Sequence, residues 1–158
     1  MKKKFLPLLL VVSLLANLVL VMMLVRADRE IQEYHAAITA REMANAVSAL
    51  EACRSGEHPE RAEFLFDAAT SHVYGAYQAS YRIVKDEFSP WEGLLYDLWN
   101  QMIFYPKAVE ANLDELIPAL SLEGNAQLYD EARIQQMEDA LNSVGATIVE
   151  MQAGEETQ

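Results

Sequence analysis

With 158 residues, six glycines and five prolines, the chain can bury a core without covalent staples and is too poor in turn formers for disorder or an all-β fold. Its formal charge of −12 is unevenly spread: Lys2, Lys3 and Lys4 precede an apolar run, while from Arg26 onward nine Lys and Arg face all 24 acidic residues, a formal −15. A field of that sign repels phosphate backbones and anionic headgroups, so nucleic acid is excluded as a partner, and the single cysteine, Cys53, excludes an intrachain disulfide.

Residues 1–4 form a basic n-region, and residues 5–25 carry no charge, with only Pro7, Ser13 and Asn17 interrupting a Leu/Val/Met run. As a helix this run is roughly 30 Å long, the thickness of a bilayer's hydrocarbon core. It exceeds the h-region of a cleaved signal peptide, so it reads as an uncleaved transmembrane signal anchor. The competing reading is a cleaved, secreted helical protein, for which Val25-Arg26-Ala27 offers small residues at a cleavage site. Three lysines before the span against Arg26 and Arg29 behind it place the N-terminus in the cytoplasm and the rest outside the plasma membrane.

Residues 26–152 read as helical throughout. Nothing between Val25 and Ala36 breaks a helix, so the first helix continues from the span, with Ala36, Ala40, Met43, Val47 and Leu50 as its apolar stripe. It stops at Arg54-Ser55-Gly56, ahead of His58-Pro59. A second helix is predicted from Glu60 to Phe88, with Ala62, Phe66, Ala69, Val73, Ala76, Ser80 and Ile83 on one face. Ser89-Pro90-Trp91-Glu92 predicts a boundary with a serine N-cap, proline at the first helical position and a capping box.

The third predicted helix carries Trp91, Leu95, Leu98, Met102, Tyr105, Val109, Leu113, Leu116 and Leu120 on one face, with a kink or short break near Tyr105 caused by Pro106. Gly124-Asn125 reads as a turn. A fourth helix follows from Ala126 to Met151, with Ile134, Met137, Leu141, Val144, Ile148 and Met151 as its stripe, before an acidic, flexible tail at 153–158. The fold class is therefore all-α: an N-terminal transmembrane helix followed by an antiparallel four-helix bundle.

No chemistry-bearing motif accompanies this pattern. The residues three before His35, His58 and His72 are Gln32, Ser55 and Ala69, so the Glu-x-x-His pair of a di-iron bundle is absent, as are H-E-x-x-H and C-x-x-C. His58 among Glu57, Glu60 and Glu63 reads as a solvated turn, and Cys53 as a small buried hydrophobe. No catalytic, cofactor-binding or metal residue is assigned.

Two surfaces stand out instead. Tyr74, Tyr77 and Tyr81, at i, i+3 and i+7, flank the seam of the second helix, and Tyr96, Trp99 and Tyr105 lie on the next; Tyr74, Tyr77, Tyr81 and Trp99 form a candidate ligand or partner face. Ala27, Ile31, Tyr34 and Ile38 make a second apolar stripe on the first helix, opposite Ala36 and Met43, and continue in phase from Leu20 and Leu24, which makes them a candidate homodimer stripe. The functional expectation is a membrane-tethered, non-enzymatic interaction module outside the plasma membrane, anchored in lipid through residues 5–25 and binding an unidentified protein. The alternatives are a ligand-sensing bundle acting through a separate partner, and an enzyme whose site carries no familiar motif. A polar-lined cavity would mark the sensor, converging titratable groups in a cleft the enzyme, and a filled core the interaction module.

Overall fold

No glycine or proline interrupts the chain between Leu8 and Ser55, and the computed structural model, which describes residues 2–57, 59–83 and 89–155, has one helix there, α1 (Lys2–Ser55). Its 54 residues span about 80 Å. Gly56, in the left-handed region at φ 63°, turns the chain and donates its N–H to the Cys53 carbonyl at 3.3 Å. Leu10–Val25 is exposed on every side. Above it Ala36, Thr39, Met43, Ala46 and Leu50 are buried.

α2 (Ala62–Ser80), entered through the 3-10 turn Pro59–Arg61, lays Phe66, Ala69, Val73 and Ala76 against that face of α1. Alanines on both helices let the two axes approach closely. The helix predicted to reach Phe88 ends at Ser80, because the Ser80 carbonyl is taken by the Ile83 N–H at 2.8 Å and the Ser89 hydroxyl at 2.7 Å. Ile83 enters the core from non-helical backbone. The rest of the predicted segment, 84–88, lies outside the described residues, as does His58.

The predicted boundary at Ser89-Pro90 is present, since α3 (Pro90–Phe104) begins there with proline in its first turn. The capping chemistry is different: the Ser89 hydroxyl makes no N-cap bond and ties the end of α2 instead.

The single third helix expected over 91–120 is three helices. Tyr105, at φ −138° and ψ 52°, breaks the axis ahead of Pro106, as foreseen. A second break was not foreseen. α4 (Pro106–Ala111) ends at Asn112, whose Nδ2 donates to the Ala108 carbonyl at 2.8 Å and to Thr147 Oγ1 at 2.9 Å. An amide that takes its own helix's carbonyl and a neighbouring hydroxyl competes with continuation of the helix. α5 (Leu113–Leu120) then runs back: Asp114 meets Arg54 at the far end of α1, at 2.9 Å, whereas Trp91, at the start of α3, donates through Nε1 to the carbonyl of Leu128, only eight residues beyond α5, at 2.7 Å. A 3-10 helix (Asn125–Tyr129) and α6 (Glu131–Glu155) complete the chain, with 156–158 outside the described residues.

The protein is thus all-helical, with six α-helices among the described residues and no strand. α1 packs on α2 and α5, α2 on α3, α3 on α6 and α6 on α5, closing a ring around Met43, Leu50, Val73, Trp91, Leu98, Leu116 and Met137. Two residues counted among the apolar stripes lie outside this core: Tyr105 and Met151 are exposed, because the break at Tyr105 and the overhanging end of α6 carry them past the ring.

Candidate interaction surface

The neighbouring faces of α2 and α3 carry aromatic residues at spacings of three, so their rings interleave across the helix pair. Tyr74 lies 4.9 Å from Trp99, Tyr77 5.4 Å from Tyr96, and Tyr96 6.0 Å from Trp99, centroid to centroid and all tilted. Tyr77 and Trp99 pack inward on the core, while Tyr74 and Tyr96 remain exposed. The result is an aromatic surface patch of three tyrosines and a tryptophan, a composition suited to protein contact. Three of the four residues foreseen as a face, Tyr74, Tyr77 and Trp99, belong to it, and Tyr96 completes it.

Tyr81 does not join them. It lies beyond the end of α2, where its ring meets that of His35 edge-on at 5.8 Å and the Arg82 guanidinium sits 5.0 Å above it. With Tyr77, Gln78 and Glu92 it lines a shallow depression of about 260 Å³.

The stripe on α1 stays open. Ile31 is 49% and Tyr34 66% exposed, Ala27 is exposed, and only Ile38 is half-buried. The domain meets α1 through Tyr81 at His35 and through the 3-10 helix Asn125–Tyr129; there the hydroxyl pKa of Tyr129 is raised by burial and then by the Glu33 carboxylate.

A groove that sequence patterning did not single out lies at the other end. Phe104, 70% exposed, with Tyr105, Pro106, Ala108, Ile148 and Met151 bounds a largely apolar space of about 360 Å³ between the α3–α4 elbow and the end of α6. The signal in the sequence is Pro106 immediately after two aromatics: the break it forces turns them out of the core.

The titratable groups are arranged as packing and surface pairs. His72 Nδ1 lies 2.8 Å from Glu42 Oε2, joining α1 to α2. The hydrogen bond from His72 holds the Glu42 carboxyl below its ordinary value, against the opposing effect of burial and with help from Arg41. Cys53 is half-buried with its Sγ 3.5 Å from the Ala62 carbonyl, and burial, then the charge of Glu110, raises its thiol pKa. Among the described residues no group of three His, Cys, Asp or Glu is placed to hold a metal. Buried polar atoms without a partner among the described residues are His35 Nδ1, Thr39 Oγ1 and Gln101 Oε1.

By length and composition α1 is the one helix among the described residues able to cross a membrane. Comparison of the chain with protein-family models, curated proteins and solved structures finds no match.

Proposed function

We propose that the chain is a membrane-tethered, non-enzymatic interaction module: a single-pass signal anchor over 5–25, N-terminus in the cytoplasm, presenting an antiparallel helical bundle outside the plasma membrane to a protein partner. The observation that carries this reading is the continuity of α1. Its lower part, Leu10–Val25, is apolar on nearly every exposed face, and its upper part is built into the domain core without a break. A helix of that kind has no soluble environment for its lower half and holds the domain rigidly at the membrane surface.

Binding rather than catalysis is supported by the aromatic patch of Tyr74, Tyr77, Tyr96 and Trp99. The ligand-sensing alternative is weaker: the depression beside Tyr81 is open and, at about 260 Å³, falls short of the roughly 300–1,000 Å³ of small-molecule sites, and the larger groove at Phe104, about 360 Å³, is largely apolar where a sensor needs a polar lining.

The test is the behaviour of the full chain in cells. It stays with the membrane through alkaline carbonate extraction, and protease added outside intact cells digests the domain. Release by carbonate, or protection from external protease, overturns the reading.

A further inference from the structure

Within the span every exposed face is apolar except one. Ser13 and Asn17, one helical turn apart, are the only polar residues of Leu10–Val25. They fall in register with the stripe above them. Leu10, Ser13, Asn17, Leu20, Leu24, Ala27, Ile31, Tyr34 and Ile38 follow one another at alternating spacings of three and four, and α1 is unbroken throughout, so that phase survives from the bilayer into the stalk. A repeat averaging 3.5 residues is the seam of a left-handed two-helix supercoil.

We propose that this seam is a parallel homodimer interface, closed inside the bilayer by a hydrogen bond between Asn17 and the Asn17 of a second copy. The proposal deepens the membrane-anchor reading and rests on it.

Three observations select a second copy of this chain. Asn17 is exposed and has no side-chain hydrogen bond among the described residues, and a carboxamide facing hydrocarbon needs a partner at its own depth. An identical chain inserted in the same direction brings Asn17 to the same depth. The seam also crosses the membrane surface without interruption, so its occupant must itself pass from bilayer to solvent alongside α1, which a purely soluble partner cannot do. Finally, the domain leaves the seam open: it meets α1 through Tyr81 at His35 and through the 3-10 helix Asn125–Tyr129, while Ala27, Ile31 and Tyr34 remain exposed. A single asparagine at a core position of such a seam fixes register and favours two strands.

The test uses the full chain with Cys53→Ser in native membranes, carrying one cysteine at a time. Cysteines replacing Ala27 or Ile31 on the seam crosslink to a species of twice the chain's mass, whereas those replacing Arg29 or Glu33, on the opposite face, do so several-fold less. Asn17→Leu lowers the association constant roughly three- to thirtyfold, the range of one interhelical polar contact in a membrane, and Asn17→Gln restores most of it. Membrane retention is measured on the same samples. A chain released by carbonate overturns the anchor and the dimer together. A retained chain overturns the dimer alone if both faces crosslink equally, if neither does, or if the adduct has another mass. Crosslinking indifferent to Asn17→Leu overturns the role of Asn17.

Discussion

Glycine has opposite meanings at two places in this chain. Gly56 holds φ 63°, where a side chain is strained, so Gly56→Ala is expected to destabilise the domain by about 1 kcal/mol. Gly145 lies inside α6 and an added Cβ meets nothing within 4 Å, so Gly145→Ala is expected to stabilise by roughly 0.5–1 kcal/mol. Thermal melts of the two variants in one buffer check the opposite signs. The Glu42–His72 pair sets an acid limb. Because the folded Glu42 carboxyl titrates below its ordinary 4.5, its stabilisation is complete above about pH 4.5 and is lost as pH falls through the folded value. Glu42→Gln removes that contribution, and melting temperature against pH shows a flatter acid limb if the pair works as described.

At the scale of elements, Ser89 closes the end of α2 and Trp91 ties α3 to the 3-10 helix. Ser89→Ala is expected to cost about 1 kcal/mol, the worth of the bond from its hydroxyl to the Ser80 carbonyl. Trp91→Phe keeps an aromatic ring but leaves the Leu128 carbonyl unpaired in the interior, and is expected to cost about 1–3 kcal/mol. Urea unfolding of both variants, followed by circular dichroism, reads these costs. A loss at Trp91 no larger than at a surface phenylalanine such as Phe64 would show that the tie between α3 and the 3-10 helix is not structural.

At the scale of the molecule, anchoring depends on the hydropathy of one stretch. Leu15→Arg with Leu18→Arg adds two charges to the centre of the span, each costing roughly 2.5–3.5 kcal/mol on insertion scales. The double variant is expected to move from the carbonate-resistant to the soluble fraction while its far-ultraviolet dichroism stays helical. Retention in the membrane at the level of the unmodified chain counts against residues 5–25 as the span.

The all-helical class, the long apolar first helix and its passage into the domain, the boundary at Ser89-Pro90 and the break at Tyr105 were all readable from the residues. Each depends on local chemistry: hydropathy period, a proline's missing N–H, a short run of breakers. The fate of the segment 91–120 was not local. Its apolar phase holds across Asn112, so the pattern is compatible with one long helix; the break at Asn112 is bonded to Thr147, 35 residues on, and α5 returns to where Asp114 meets Arg54, 60 residues back, and neither partner is visible in the local pattern. The early end of α2 likewise depends on Ser89 reaching back to Ser80. The aromatic face was legible as far as one helix determines it, in Tyr74 and Tyr77, but which rings meet across two helices depends on their relative placement. Tyr81 therefore left the face for His35, and Tyr96 entered it. Periodicity sets which side of a helix is apolar; only the packed neighbours decide which part of that side is covered, and they leave Ile31, Tyr34 and Phe104 open.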